Sequence, residues 1–328
     1  MARRSGTVFL IGISLVSRLG QDSAHRTPAS VQTYLTSLTQ SRRGSAIVIN
    51  PATGEILAAW NLKDAVNDAY PPGSTAKIVT VAAALEERLV TAGEHLICRR
   101  VPPLLGSGYT CTHPRAPEGL TISSALANSC NFFFVSLSMR ENSETLFHWY
   151  SVFGFGAPAE LDGKPTASGA LRKPSGARSK ALAALGDGGV VSTAAQLLDA
   201  YALVANQGTE FGLWTSQAGQ RSPKPHRRIE LKKSTYTALR AGLLGCVEYG
   251  TCKDAAVPGV EVAGKTGTSS ALDGSGATHA WFVGFAPVER PEIALVVFLQ
   301  RGTGSSNAAP LAGEILRYYF AGRRKQVD

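Results

Sequence analysis

Ser45-Ala-Ile-Val-Ile-Asn50 and Glu55-Ile-Leu-Ala-Ala-Trp60 are short apolar runs joined by the turn Pro51-Ala-Thr-Gly54. A Pro/Gly break between two such runs predicts a β-hairpin. The C-terminal third carries matching material. Val260-Glu-Val-Ala263 leads into Gly264-Lys-Thr-Gly-Thr268, and His279-Ala-Trp-Phe-Val-Gly-Phe285 and Ile293-Ala-Leu-Val-Val-Phe-Leu299 flank the turn Pro287-Val-Glu-Arg-Pro291. The middle is helical in pattern. Ile78, Val81, Ala82, Leu85 and Leu89 recur at three- and four-residue steps, which predicts a helix that starts at Ser74 after Pro71, Pro72 and Gly73. Leu120 to Arg140 reads as helix broken at Asn128-Ser-Cys-Asn131. Thr193 to Asn206 reads as a helix ended by Gly208, Ser234 as the cap of another running to about Tyr249, and Pro310 to Phe320 as a closing helix. Strands at both ends and helices between them predict an α/β (α+β) fold, one antiparallel sheet with a helical lobe inserted.

A chain of 328 residues suffices for one large domain or two lobes. With 44% hydrophobic and 17% charged residues, it is neither disordered nor a membrane bundle. The net charge of +9 favours contact with anionic polymers or a membrane surface. Its excess lies in Lys164 to Lys180 and Arg221 to Lys233, polar stretches that read as exposed connections. They lack the interleaved aromatics of a single-strand binder, so no specific nucleic-acid partner is expected. Arg3 and Arg4 precede the apolar run Thr7 to Val16, too short for a comfortable span, in the order of a secretory signal. Ser17-Arg18-Leu19-Gly20 is a poor cleavage site, which leaves an uncleaved anchor as the alternative. Residues 1–28 are therefore expected to be a signal peptide or signal anchor with a short linker.

Five cysteines fit an oxidising compartment with four of them paired. Cys98 and Cys111 flank one loop and Cys246 and Cys252 flank a turn around Gly250, so both are candidate local disulfides, although sequence does not fix connectivity. Cys98, Cys111 and His113 as metal ligands lack a second close pair, and Cys130 is left over, so no metal is expected.

Three short motifs could carry chemistry. Ser74-Thr-Ala-Lys77 places a hydroxyl and an amine on one helix face, a nucleophile with its base if the lysine can lose its proton. Ser129-Cys-Asn131 sits in a helix break, and a capping role is its plain alternative; a second S-x-N at Ser305-Ser-Asn307 shows how weak the tripeptide is alone. Lys265-Thr-Gly267 lies on a strand whose glycine permits close approach of a ligand. Their order, S-x-x-K, S-x-N, K-T-G, with steps of 55 and 136 residues, is the acyl-serine signature.

On these motifs the chain resembles the transpeptidase domain of penicillin-binding proteins, especially class B. The likeness extends over roughly Val31 to Phe320. Ala46-Ile-Val-Ile-Asn-Pro-Ala-Thr-Gly-Glu-Ile-Leu-Ala58 resembles the family's opening hairpin, and Leu126-Ala-Asn-Ser-Cys-Asn-Phe-Phe-Phe134 its second motif. Gly186-Asp-Gly-Gly-Val-Val-Ser-Thr-Ala-Ala-Gln-Leu197 resembles the helical segment before its ANGG-like turn, here Ala205-Asn-Gln-Gly208. Gly264-Lys-Thr-Gly-Thr-Ser269 with His279-Ala-Trp-Phe-Val-Gly-Phe-Ala-Pro287 is similar to its third motif and partner strand.

The resemblance implies a penicillin-binding protein/β-lactamase-like fold, an antiparallel five-stranded sheet flanked by helices with an inserted all-α lobe. It implies a transpeptidase domain over 29–328, with a sheet lobe at about 44–73 and 230–322 and a helical lobe at about 74–229. It further implies a peptidoglycan D,D-transpeptidase without cofactor, in which Ser74 attacks the D-Ala-D-Ala carbonyl and Lys77 is the general base. Ser129 would relay a proton, Asn131 would orient Lys77, and Lys265 would help keep Lys77 neutral. Backbone N–H groups of Ser74 and Thr268 would form the oxyanion hole, and Lys265, Thr266, Gly267 and Thr268 would receive the substrate carboxylate. The implied partners are stem peptides, β-lactams as covalent inhibitors, a cell-wall polymerase, and the membrane through an uncleaved N-terminus. The implied location is periplasmic or extracytoplasmic.

Two departures stand out: only a short stretch precedes the hairpin where the family carries a large pedestal, and Ala76 stands where phenylalanine is common. The rival readings are a D,D-carboxypeptidase, a β-lactamase, and a noncatalytic β-lactam sensor or scaffold. A class A β-lactamase is disfavoured because Glu141, Glu144 and Glu160 all lack a following Leu-Asn, and a class D enzyme because valine is usual where Asn131 stands.

Overall fold

The computed structural model describes residues 27–216, 223–271 and 273–321. The expected signal segment, with Arg3, Arg4 and Thr7 to Val16, lies outside them. No helix among the described residues is long and apolar enough to cross a membrane.

Helix α1 (Pro28–Thr39) precedes the hairpin β1 (Gly44–Asn50) and β2 (Glu55–Trp60). The helical section that follows includes α2 (Lys77–Glu86), α3 (Ile122–Ala127), α4 (Asn131–Ser138) and α5 (Ala194–Ala205). The chain then returns through α6 (Lys233–Glu248), β3 (Ala263–Ser270), β4 (Thr278–Ala286), β5 (Ile293–Leu299) and α7 (Ala309–Phe320). The five strands form one antiparallel sheet in the order β3-β4-β5-β1-β2. β1 and β5, from opposite ends of the sequence, are neighbours in register Val48 to Leu295.

Period-two alternation sorts the side chains between two cores. Ile47, Ile49, Val283, Phe285, Val296 and Phe298 face the helical lobe, where α5 packs with Leu197, Leu198 and Tyr201. Ala46, Val48, Phe282, Leu295 and Val297 face the opposite side, under Val31 and Leu35 of α1 and Ile315 and Leu316 of α7. Because both faces of β5 are covered, its sequence is one unbroken apolar run. Helix α1 is not among the helices that the sequence pattern predicts. Its buried stripe is only Val31, Leu35 and Thr39, and Tyr34 stacks on Tyr318 of α7 at 4.1 Å.

Two details differ from the sequence expectation. The inserted lobe is not purely helical: Ala69–Tyr70, Val190–Thr193 and Ala170–Leu171 form one small sheet, and two further two-stranded ribbons lie beyond it. Strands of two to four residues are too short to leave a periodic signature. The break expected at Asn128 to Asn131 is present, between α3 and α4. Helix α6 is not capped by Ser234: its N-cap is Lys232, which makes no side-chain cap. The cap comes from across the fold. One carboxylate oxygen of Glu86, at the end of α2, accepts from the Lys232 N–H at 2.8 Å and from the Thr235 hydroxyl, and the other pairs with the Lys232 amine at 3.0 Å. Burial pushes the Glu86 carboxyl up, but these hydrogen bonds outweigh it and hold it below the usual range. An anion at a helix N-terminus also meets the positive end of the dipole.

Glu86→Ala is therefore expected to lower the unfolding free energy by about 1–2 kcal/mol, as loss of a cap does, whereas Ser234→Ala should change it by less than about 0.5 kcal/mol. Urea unfolding midpoints for both variants check this.

Candidate active site

Ser74 lies in a 3₁₀ turn, Gly73–Ala76, and the α-helix proper begins at Lys77, three residues later than the sequence pattern places it. The tighter turn suits the pair, because residues i and i+3 eclipse in 3₁₀ geometry and Ser74 and Lys77 rise from the same side. Ser74 is partly exposed, while Thr75, Ala76 and Lys77 are buried. The turn is fixed from several directions. The carbonyl of Pro71 accepts from the Ser269 hydroxyl at 2.7 Å and the Trp281 indole at 3.0 Å, which ties Pro-Pro-Gly to the sheet. The Tyr201 hydroxyl donates to the Thr75 carbonyl at 2.8 Å. Gly73, at φ +52°, donates its N–H to the carbonyl of Gly186 at 3.1 Å.

The Lys77 amine is fully buried and donates to three neutral oxygens: the Asn131 amide at 2.7 Å, the Ser129 carbonyl at 3.0 Å and the Ser129 hydroxyl at 3.1 Å. Burial lowers its pKa from 10.5 to about 8, against smaller upward pulls from Cys130, Cys111 and Asp187. At neutral pH about a tenth of the molecules would then carry a neutral amine, roughly 300-fold more than for an ordinary lysine. Asn131 is oriented in turn by its own amide N–H, which donates to the Tyr109 carbonyl at 3.0 Å.

Ser129 reaches Lys77 through a helix end. The N–H of Cys130 bonds the carbonyl of Ala125 at 2.9 Å and the N–H of Ser129 that of Leu126 at 3.1 Å. This pair of bonds is the Schellman motif, whose pivot residue adopts the left-handed conformation and is ordinarily glycine. Here the pivot is Ser129, at φ +53°. The serine side chain caps no helix; its backbone closes the C-terminus of α3 in a strained conformation, at a place where its hydroxyl faces the buried lysine. The other S-x-N, at Ser305 to Asn307, is structural: the Asn307 side chain accepts from the Thr303 N–H at 2.8 Å.

The third motif lies on β3, the edge strand. Lys265 is fully buried, and its amine donates to the Thr266 carbonyl at 3.0 Å. Burial, followed by the charge of Lys77, pushes its pKa well down. A β-carbon on Gly267 would stand 2.6 Å from the Pro72 carbonyl oxygen and 2.9 Å from the Thr75 methyl. Glycine therefore lets the strand press directly against the Ser74 turn. Thr266 is buried with its hydroxyl 2.6 Å from that of Thr251, while Thr268 is exposed and accepts from the Gly304 N–H at 3.0 Å.

The structure thus gathers Ser74, Lys77, Ser129, Asn131 and the 265–268 strand in one place. It adds Asp187, which the motifs do not mark. Gly186 packs so tightly on the Ser74 turn that a β-carbon would meet the Gly73 carbonyl oxygen at 2.0 Å, and this brings Asp187 into the field of Lys77. Burial raises the Asp187 carboxyl to about 6, with Lys77 pulling the other way. Its place in the sequence is the Gly186 to Leu197 stretch, noted only for its resemblance to the family and not for a role of the aspartate.

The cysteines depart from expectation. Cys246 and Cys252 are joined. Cys98 and Cys111 are not: they and Cys130 are free thiols, and the Cys111 sulfur lies 3.7 Å from that of Cys130. The 98–113 loop closes on itself, with the Cys111 N–H donating to the Arg100 carbonyl at 2.9 Å, and also packs on the Ser129–Asn131 turn, so its two sulfurs meet a third from Cys130, the N-cap of α4.

Residues 44–317 match the penicillin binding protein transpeptidase domain. Stage V sporulation protein D of Bacillus subtilis is 30% identical over 311 residues, which cover 83% of this chain and 48% of that protein. Peptidoglycan D,D-transpeptidase PbpA of Mycolicibacterium smegmatis is 26% identical over 322 residues, covering 82% and 65%. Among solved structures, the apo TP domain of Burkholderia pseudomallei penicillin-binding protein 3 superposes with a TM-score of 0.75 at 26% identity, covering 91% of this chain and 93% of that one. The chain belongs to the penicillin-binding protein transpeptidase domain family, and it spans between about half and two thirds of the two full-length relatives.

The left-handed pivot generates a test independent of activity. Ser129→Gly and Ser129→Ala both remove the hydroxyl, but only glycine relaxes the backbone, so the glycine variant should be the more stable by about 1 kcal/mol. Equal melting temperatures would show that position 129 carries no backbone strain.

Proposed function

We propose that this chain is a peptidoglycan D,D-transpeptidase that forms an acyl-enzyme on Ser74. One observation carries the reading: Lys77 is a buried lysine held by neutral oxygens, one turn from a partly exposed serine. Such a lysine has no structural need for its charge, and its lowered pKa suits a base.

In the proposed cycle the neutral Lys77 amine takes the Ser74 hydroxyl proton as the serine oxygen attacks the carbonyl between the terminal D-alanines. The negative oxygen of the tetrahedral intermediate is met by the N–H groups of Ser74 and Thr268, each such donor typically contributing about 3 kcal/mol at the transition state. Ser129 bridges Lys77 to the leaving nitrogen, which departs protonated as D-alanine. Asn131 holds Lys77 and the substrate amide. Lys265 with Thr266, Gly267 and Thr268 binds the terminal carboxylate, whose negative charge favours a protonated Lys265, and that positive charge in turn favours neutral Lys77. An amine from a neighbouring stem then attacks the ester, releases Ser74 and completes the crosslink. A β-lactam would enter the same path through its strained amide and stop at the acyl-enzyme. The proposed catalytic domain is 29–328, exported and held at the membrane or released according to the fate of residues 1–28. Water in place of the amine would make the same site a carboxypeptidase.

Incubation with a fluorescent penicillin, followed by intact mass, tests the assignment. A lasting one-to-one adduct that maps to Ser74 and disappears in Ser74→Ala is expected. A transient adduct with steady drug turnover would identify a β-lactamase, and no adduct on the folded protein would leave a noncatalytic module.

A further inference from the structure

We propose that Cys98, Cys111, His113 and Cys130 form a closed zinc site that fixes the turn carrying Ser129 and Asn131. The three sulfurs and one ring nitrogen of His113 all lie within 4.8 Å of one another. Around a tetrahedral zinc with bonds of about 2.3 Å to sulfur, two thiolates stand about 3.8 Å apart. Cys111 and Cys130 are at 3.7 Å. Three cysteines and one histidine are a recurrent structural zinc set.

The histidine provides an independent observation. Its Nδ1 is 2.7 Å from the Pro114 carbonyl oxygen, which can only accept, so Nδ1 carries a hydrogen and in the neutral ring Nε2 is a bare lone pair. Nε2 is buried without a hydrogen-bond partner, on a residue only 8% exposed. A buried acceptor in that condition is costly unless something occupies it. Donation of the other ring N–H to a carbonyl is the arrangement that orients a zinc-bound imidazole. The sulfurs are prepared similarly. The N–H of Arg100 points at Cys98 at 3.4 Å and that of Phe132 at Cys111 at 3.3 Å, and each would support a thiolate. Four protein ligands leave no position for substrate or water, so the ion would be structural.

Its consequence follows from chain connectivity. Cys130 is the middle residue of Ser129-Cys-Asn131, and Tyr109, whose carbonyl orients Asn131, lies two residues before Cys111. One ion would thus clamp both supports of the Lys77 amine. This consequence for acylation rests on the function proposed above, whereas the metal site itself does not.

The test uses the full chain purified without chelator and then supplied with zinc chloride. One zinc per chain is expected to survive gel filtration, with an X-ray absorption spectrum of three sulfurs and one nitrogen. Cys98→Ser and His113→Ala should each lose most of the bound zinc. Stripping the wild type with a chelator should lower its melting temperature and slow penicillin acylation, and zinc chloride should restore both. A wild-type chain that takes up no zinc, or whose peptides show a disulfide between any two of Cys98, Cys111 and Cys130, would overturn the proposal. If zinc binds with the expected ligands and melting responds but no acyl adduct ever forms, the site stands and the functional reading fails.

Discussion

Lys77 is the constraint around which the rest of the molecule is arranged: an amine removed from water and left with only neutral acceptors. Burial of a charge without a counter-ion is unfavourable, and the group answers by giving up its proton more readily. The environment satisfies the amine's hydrogen-bonding needs without neutralising its charge. Three oxygens from one turn receive its three hydrogens, and the nearest acidic group in its field, Asp187, is itself pushed toward protonation by burial. A second buried lysine, Lys265, is itself pushed well down by burial and then by the charge of Lys77. The scaffold must hold all of this against its own electrostatic preference.

It does so by close backbone contact. Glycines at 186 and 267 stand where a β-carbon would collide with a neighbouring segment, and one at Gly73 would lie 3.0 Å from the Thr268 carbonyl oxygen; together they bring the edge strand β3, the Ser74 turn and the 186–187 segment to backbone distance. Edge position matters as much. β3 pairs only with β4 within the sheet, so its other side borders the serine turn. The strained pivot at Ser129 shows the same economy in the other direction, since stability is given up at the one residue whose hydroxyl must face the lysine.

Much of this was legible in the sequence, for reasons that differ from place to place. The hairpin and the C-terminal strands were visible because apolar runs bounded by Pro and Gly have few other meanings, and the order of the three motifs tied distant residues to one site. Helix α1 was obscured because Ser and Thr occupy its solvent faces. The cap of α6 was misassigned to Ser234 because the true partner, Glu86, is 146 residues away in the chain. The thiol group was misread for a related reason. Cys98 and Cys111 look like a local pair until the fold delivers Cys130, and nothing in linear spacing reveals that a residue inside a catalytic motif is also the third sulfur of a cluster. Asp187 sat in a glycine-rich turn whose purpose only the packing discloses.

The account's central claim is that Lys77 must lose its proton before Ser74 can react. The second-order rate constant for acylation by a penicillin, followed across about pH 6 to 9.5, tests it most directly, since that constant reports ionisations of the free enzyme. Below about 8 the rate should rise close to tenfold per pH unit and then level off as the Lys77 amine becomes neutral. A rate that stays flat through this range while the protein remains folded would contradict the claim, and would mean that the Ser74 proton leaves by some other route.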